Sequence, residues 1–534
     1  SHMTRGHAAF SGLFLTSTWP VLVLAFLAGL FSATALPPWS FPLGIFGFSV
    51  LFVLIYQTKT IKKGALIVWV FSFGYHLFGL QWISNALLID SEKFAWLLPF
   101  SLMGIPALLA IIPSLVMPIL CKILLPPFWF PVLASTLWTL SEYLRGHIFS
   151  GFPWNLPAYM LSFSDSILQT ASLVGVYGLS WLLMLFTAGP TLFFARELWG
   201  RPYYRVFITL LLLIPLALWF YGANRLDKNP TELNSNYIIR LVQGNIPQKE
   251  KWAPEFRLRN IEKYIALSKI QDARHSQNAI FKTPNLIIWP ETAIPSLIAK
   301  DDDLRNWIGH LLKKEMHLIT GAPSLSQTDT NQPLNSVFVL TADGKITHRY
   351  DKTHLVPFGE YVPFRDWLPF PKLVTKFPDF KAGPGLTSIE LPTVGYISPL
   401  VCFEIIFPGK VIMADAEKRP SLLINLTNDA WFGKSAGPYQ HLEHARLRAI
   451  EEGIPLIRVA NTGISATFDP LGRKLSEIAL GETGYVDQDL IKPLRSKTLY
   501  TKIGDSIYLL ITTLIISVTV LGKLFFNSRS FKFH

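Results

Sequence analysis

The sequence predicts a polytopic α-helical membrane bundle joined to an exported α/β domain, and three observations lead there. Half of the 534 residues are hydrophobic and only 16% are charged, against about 25% charged in an ordinary soluble domain. The apolar excess sits in long runs before Asn224 and in one run near the C-terminus, while the stretch between them has globular composition. Basic residues cluster in every second loop between the apolar runs, a pattern that orients a chain across a bilayer.

A membrane-spanning helix needs about 20 mostly apolar residues. Segments near 19–36, 41–56, 65–82, 95–120, 128–144, 167–194 and 206–221 meet that need, and a last one runs over 507–521. Several contain Pro or Gly, which such helices tolerate; the second is short, and Pro106, Pro113 and Pro118 interrupt the fourth. Arg5 precedes the first span, Lys59, Lys62 and Lys63 follow the second, Lys122 the fourth, Arg196, Arg201 and Arg205 the sixth, and Lys523, Arg529 and Lys532 the last. The alternate loops hold mainly Lys93 and Arg145, with Asp90 and Glu92 beside the former. This predicts that both termini are cytoplasmic and that the large domain before the last span lies across the membrane, in the periplasm of a bacterium. Residues 1–224 are expected to form the N-terminal bundle, 225–500 the exported domain, and 501–534 a C-terminal transmembrane helix and tail. Ser1-His2-Met3 reads as an expression-tag remnant, and no cleaved signal peptide is expected, because the first apolar run is followed by many more.

The net charge of +12 lies largely in the short loops between apolar runs, where it reports orientation. No basic stripe with interleaved aromatics stands out, so no nucleic-acid partner is expected. Of the two cysteines, Cys121 ends an apolar run and suits a small buried hydrophobe. Cys402 is alone in the exported domain and has no partner there for a disulfide, so its free thiol asks for another explanation.

Within that domain short apolar strands alternate with helices. Strands are predicted over 237–242, 285–289, 317–320, 336–340, 397–402, 421–426 and 455–459, rich in Ile, Val and Leu, and helices over 254–269, 302–314 and 437–451. Such alternation argues an α/β or layered α+β domain. Three strand ends carry chemistry: Leu286-Ile287-Ile288-Trp289-Pro290-Glu291, Tyr350-Asp351-Lys352, and Pro399-Leu400-Val401-Cys402-Phe403-Glu404. Each puts a reactive side chain where a buried strand gives way to a loop, the place where rigid scaffolds present functional groups.

These segments resemble the nitrilase superfamily, whose triad is glutamate, lysine and cysteine in that chain order. The likeness extends to Asn425-Leu426-Thr427-Asn428-Asp429-Ala430-Trp431-Phe432-Gly433 and Arg458-Val459-Ala460-Asn461-Thr462-Gly463. It implies a nitrilase-like domain, a layered αββα sandwich, with Glu291, Lys352 and Cys402 as the catalytic set. A nitrilase-like domain flanked by so many spans is similar, further, to the apolipoprotein N-acyltransferase family. Gln243-Gly244-Asn245-Ile246-Pro247-Gln248, Trp252 and Gly359-Glu360-Tyr361-Val362-Pro363 resemble that family's own segments. The resemblance implies a phospholipid acyl donor and, as acceptor, the N-terminal diacylglyceryl cysteine of an apolipoprotein, at the inner membrane. It gives functional weight to Glu360 and Glu404, and places Trp252 at a substrate entrance, unless Trp252 is a core tryptophan. One departure concerns Phe403, where the family pattern has Tyr; the missing hydroxyl bears on a local hydrogen bond and not on the nucleophile.

The implied chemistry is covalent and runs in two steps. Cys402 attacks the ester carbonyl and holds the acyl chain as a thioester, which the acceptor amine then attacks, with Glu291 as the base in both halves. Reference pKa values of about 4.3 for Glu and 8.5 for Cys leave a gap of roughly 4 units, or about 6 kcal/mol. Burial of the glutamate and a nearby ammonium, Lys352, are expected to close it from both sides, and Lys352 also suits the oxyanion. Glu360 or Glu404 would position Lys352 or bond the acceptor amine, or Glu404 would form an ordinary buried ion pair. No cofactor or metal is expected: Cys402 has no second cysteine nearby, and His441 and His444 have no evident companions, whereas metal sites want three or four such groups. Residues 361–377, with Phe364, Trp367 and Phe370 beside Arg365 and Lys372, have the composition of an interfacial segment. They suit either a lid over the acyl site or a loop packed on the domain. A membrane-tethered hydrolase using the same triad with water shares every one of these residues; the large bundle is what speaks against it, since one anchor would suffice.

Overall fold

The computed structural model describes residues 18–270, 283–367 and 378–530. The chain divides into two compact units, Ser1–Gln81 with Pro99–Arg225 and Ile503–His534, and Trp82–Leu98 with Leu226–Lys502.

The first unit is helical. Apolar helices cover Thr18–Ala33, Gly47–Gln57 and Ile61–Gly79, and others follow at Trp129–His147 and Ala171–Ala188. The segment expected over 95–120 is broken into Leu98–Leu109 and Ile111–Val116 with short 3-10 turns, and Pro106 lies inside the first of these helices. Gly175, at φ 70°, breaks the regular helix within Ala171–Ala188. Among the described residues three stretches are long and apolar enough to cross a membrane, Ser91–Cys121, Ala171–Phe194 and Ser506–Phe525, or up to five if each of the bent pairs at 61–88 and 202–228 is one span. Thr18–Ala33 and Pro42–Gln57 are apolar but shorter. Trp129–His147 carries Glu142 and Arg145, which are buried and paired with each other, and Arg145 also donates to the carbonyls of Phe152 at 2.8 Å and Trp154 at 2.6 Å.

Two six-stranded sheets form the heart of the second unit. The first contains β1 (Leu233–Gln243), β2 (Leu286–Ile288), β3 (His317–Leu325), β4 (Pro333–Thr341), β5 (Ile346–Asp351) and, from the far end of the domain, β12 (Gly484–Ile491), in the order β12-β1-β2-β3-β4-β5. The second contains β6 (Ile389–Leu391), β7 (Gly395–Val401), β8 (Leu422–Thr427), β9 (Leu456–Ala460), β10 (Ser465–Phe468) and β11 (Lys474–Ile478), in the order β11-β10-β9-β8-β7-β6. In each sheet three strands run parallel, β1-β2-β3 and β7-β8-β9, and antiparallel strands extend the edges. The six parallel strands and the antiparallel β4 are the ones that read from sequence, since burial on both faces gives continuous apolar runs. The edge strands β5, β6, β11 and β12 and the short inner strand β10 did not. β11 is exposed at most positions and β12 mixes Asp and Gln into its run, so neither has an apolar period.

The helices Arg257–Lys269 and Asp302–Gly309 bring Ile261, Tyr264, Leu304 and Ile308 onto Ile287, Trp289 and Leu318 of the first sheet. Ala436–Glu452 packs on β9 and β10 of the second. Ser435 caps it by accepting from the Gly437 N–H at 3.2 Å, and Gly453 ends it in the left-handed conformation.

Candidate active site

Each sheet delivers its reactive groups at the carboxyl ends of its strands, the inner β2 and β7 and the edge strand β5. β2 ends in Trp289-Pro290-Glu291, β5 runs directly into Lys352, and β7 runs directly into Cys402. Cys402 and Lys352 are buried, and charge interactions link Cys402 with Glu291, Lys352 and Lys251. Cys402 has φ 51° and Thr292, just after Glu291, has φ 49°. Such left-handed backbone in non-glycine residues costs of order 1 kcal/mol or more and persists where surrounding structure enforces it.

Glu291 is held by its surroundings. Oε1 accepts from Asn335 Nδ2 at 2.9 Å, and Oε2 accepts from the Asn428 N–H at 2.9 Å. Beneath it Gly321 lies so close that a Cβ there would fall 2.3 Å from the Thr292 nitrogen and 2.8 Å from the Glu291 Cα. Lys352 donates to Glu360 Oε1 at 2.6 Å; the same carboxylate takes the Val356 N–H at 3.0 Å and Asn335 Nδ2 at 3.2 Å. Glu360 thus positions Lys352, and Asn335 bridges Glu360 to Glu291.

Glu404 has a different task. Its Oε1 accepts from the Tyr350 hydroxyl at 2.7 Å and from the N–H groups of Thr353 at 2.7 Å and His354 at 3.1 Å, and its Oε2 from the Val401 N–H at 2.8 Å. It is no ordinary ion pair. It ties the loop that carries Lys352 to the turn that carries Cys402, through hydrogen bonds of the charge-assisted kind. Phe403 is buried, with its ring 5.1 Å from Phe407 and 5.6 Å from His354, so apolar packing occupies that position.

Burial raises the Glu291 carboxyl, more than the ammonium groups of Lys352 and Lys251 lower it, as a general base requires. Burial would lower Lys352, but Glu360, Glu291 and Cys402 outweigh it and hold the ammonium charged. The thiol corrects the sequence expectation. Burial and the Glu291 carboxylate push Cys402 up, and Lys352 does not overcome them, because its charge is directed at Glu360. Cys402 therefore rests as a protonated thiol, with the Glu291 carboxyl among the groups that keep it so.

Several contributors were not singled out from sequence. Lys251 is buried and donates to the Glu291 carbonyl at 2.9 Å; burial lowers it to about 8 despite Glu291 and Cys402. Only its neighbour, the half-buried Trp252, had drawn notice. Asn335 is a polar interruption in a buried strand, a weak signal that the sequence did carry. Asn428 and Asp429 belong to a quoted segment but had no role assigned.

The reading of His441 as lacking companions is also corrected. Its Nε2 lies 3.2 Å from the Cys402 carbonyl and its Nδ1 3.1 Å from Asp429 Oδ1. Asp429 accepts from Thr427 at 2.7 Å and Arg458 at 3.0 Å. Cys402, Asp429 and His441 offer ligand atoms within 4.8 Å of one another. As a donor set for a metal ion they fit poorly, because the carboxylate is already matched by the Arg458 guanidinium and both ring nitrogens have protein partners. His444 is buried, with Nδ1 2.7 Å from the Gln440 carbonyl. Of the segment expected to be interfacial, residues 368–377 lie outside the described residues; Phe364 and Trp367 are exposed.

Comparison with known proteins agrees with this geometry. Residues 238–495 match the family described as Carbon-nitrogen hydrolase, and residues 28–189 match the Apolipoprotein N-acyltransferase N-terminal domain. A protein of Rhodopseudomonas palustris named Apolipoprotein N-acyltransferase is 35% identical over 96% of this chain and 97% of its own. Namesakes from Bradyrhizobium diazoefficiens and Rickettsia prowazekii are 38% and 33% identical, over 92% and 95% of this chain and 93% and 99% of theirs. With both parts of the chain matched and full-length relatives this similar, the chain belongs to the apolipoprotein N-acyltransferase family.

Proposed function

We propose that this chain transfers an acyl chain from a phospholipid to the N-terminal amine of a diacylglyceryl-cysteine apolipoprotein, through a thioester on Cys402. The observation that carries this reading is the convergence of Glu291, Lys352 and Cys402 from the ends of β2, β5 and β7, with Lys352 and Cys402 buried and charge interactions linking all three. The Cys402 sulfur attacks the ester carbonyl as its proton passes to Glu291, and Lys352 faces the oxyanion. Collapse of the tetrahedral intermediate breaks the ester C–O bond. Glu291 returns the proton to the leaving alkoxide, which departs as a lysophospholipid. In the second half the acceptor amine attacks the thioester carbonyl, Glu291 takes its proton, and the C–S bond breaks to restore the thiol.

The family name and the apolar helices support a membrane protein. We place it in a bacterial inner membrane as a multi-pass helical bundle, with both termini cytoplasmic and the catalytic domain periplasmic. Charge placement supports that orientation. So does the last helix, whose Leu510, Leu514, Val518 and Leu521 lie exposed along one face, a stripe that favours lipid over water.

The test is intact-protein mass spectrometry after incubation with a defined phospholipid, for the parent protein and Cys402→Ser. A hydroxylamine-labile acyl adduct is expected on the parent alone, and a diacylglyceryl peptide should discharge it. Release of lysophospholipid with no adduct and no peptide acylation would sink the proposal and favour hydrolysis by water.

A further inference from the structure

The second unit contains one stretch that the chain supplies from far away in sequence. Trp82–Leu98 lies between helices of the first unit, yet by its contacts it belongs with Leu226–Lys502. Its anchors are specific. Trp82 Nε1 donates to Gln440 Oε1 at 2.9 Å, and its ring centroid lies 4.5 Å from that of Phe432 and 6.1 Å from that of Trp431. Asn85 Nδ2 donates to the Phe432 carbonyl at 2.7 Å. Trp82 is 3% exposed, so this is a buried joint and not a surface graze.

The residues that Trp82 and Asn85 hold are next to the groups that bear on the nucleophile. Gln440 precedes His441, whose Nε2 meets the Cys402 carbonyl at 3.2 Å. Phe432 closes the turn Ala430–Phe432, which begins right after Asn428, donor to Glu291 at 2.9 Å, and Asp429, partner of His441 at 3.1 Å. The loop after β8 and the first turns of Ala436–Glu452 thus touch Cys402 and Glu291 on one side and Trp82 and Asn85 on the other. The joint has little slack: a Cβ at Gly437 would come within 3.0 Å of Trp82 and 3.1 Å of Phe432. Cys402 meanwhile holds a left-handed backbone at φ 51°, which relaxes unless its carbonyl is kept in place.

We infer that Trp82 and Asn85 are positioning residues for acyl transfer, acting through Phe432 and Gln440 on Asn428, Asp429 and His441. The inference rests on Cys402 being the acyl carrier. It makes the catalytic constellation incomplete without residues 82–98, so that the nitrilase-like region alone does not hold its nucleophile in register. Misplacement of a reacting group by about 1 Å can cost on the order of 100-fold in rate; loosening one strut in a packed set should cost less, roughly tenfold.

The experiment uses the full chain in detergent with a defined phospholipid and follows the Cys402 adduct by mass spectrometry in single-turnover time courses. Trp82→Ala, Asn85→Ala and the milder Trp82→Phe, which keeps the ring and loses the N–H, are compared with the parent. Gly437→Ala reaches the same joint from its other side, and Trp96→Ala, exposed in the same stretch, serves as control. A packing role would lower the amplitude of the burst, which counts competent molecules, and leave the rate constant of the remainder. A positioning role lowers the rate constant itself. The expected result is an about tenfold lower acylation rate constant for Asn85→Ala and Trp82→Ala, about threefold for Trp82→Phe and Gly437→Ala, an unchanged half-saturating phospholipid concentration, and parental behaviour for Trp96→Ala. Rate constants within about twofold of the parent for Asn85→Ala and Trp82→Phe overturn the inference, even if Trp82→Ala fails to fold. Absence of the adduct on the parent protein instead overturns the thioester reading itself.

Discussion

At Glu291 a carboxylate, two hydrogen-bond donors and a buried setting combine into a base whose proton affinity is raised. The ionised form is the active one, so acylation is lost as pH falls through that raised value, and the acid limb should lie above the ordinary glutamate range near about 4.3. A pH profile of the single-turnover acylation rate checks this, and a limb at or below pH 4 would contradict it. Asp429 has the opposite sign. Burial would raise it, but His441 and Arg458 bring it from 3.8 down to about 2. It therefore contributes stability that is fully present above 3.8 and lost as pH falls through about 2, on the order of 2 kcal/mol. Denaturant unfolding at several acidic pH values should show this slope, and Asp429→Asn should flatten it. Lys352→Met leaves Glu360 buried without its cation, which should destabilise the fold by about 3–5 kcal/mol and abolish the adduct; denaturant midpoints and the acylation assay read the two effects separately.

Among the elements, strand ends set the geometry. Glu291 sits where it does because β2 pairs parallel with β3 and the chain crosses close over Gly321. Gly321→Ala should force that crossing apart, costing about 1–3 kcal/mol as overpacking does, and should slow acylation by more than the stability loss explains; equal thermal midpoints with parental rates would refute the close-approach argument. Tyr350→Phe removes one of four donors to Glu404 and should cost about 1–3 kcal/mol, measured by unfolding, because the buried carboxylate is left short of a partner. Most inner strands were legible in sequence as apolar runs. The edge strands were not, since a half-exposed strand such as β11 carries the composition of a loop. The site divided along the same line. Glu291, Lys352 and Cys402 lie at or just beyond strand ends and could be singled out from sequence, whereas Lys251, Asn335 and His441 acquire meaning only through partners 12 to 44 positions away in the chain.

For the molecule as a whole, the apolar helices and the globular domain have separate requirements. In the proposed topology the exposed leucines of the last helix meet lipid, and the charged loops set which side each end occupies. Trypsin applied to spheroplasts should therefore cut within residues 226–502 and spare an epitope fused after His534; loss of that epitope from intact spheroplasts would reverse the proposed topology. Among the described residues Ser91–Cys121 and Ala171–Phe194 remain long enough to cross a membrane in spite of Pro106 and Gly175, whereas Thr18–Ala33 and Pro42–Gln57 are apolar but shorter, a difference in helix length that a run of hydrophobic letters does not reveal.

The sequence by itself determined the division into apolar helices and a layered domain, and the three reactive side chains with the order in which they come. Hydrophobic periodicity and strand-end placement are local properties, written in neighbouring residues. Only the tertiary structure decided that Glu404 knots two loops, that His441 meets the Cys402 carbonyl, that burial pushes the Cys402 thiol up, and that residues 82–98 join the unit formed by 226–502. Those facts depend on burial and on hydrogen bonds between residues up to 358 positions apart, as from Trp82 to Gln440. No window along the chain contains both partners of such a bond.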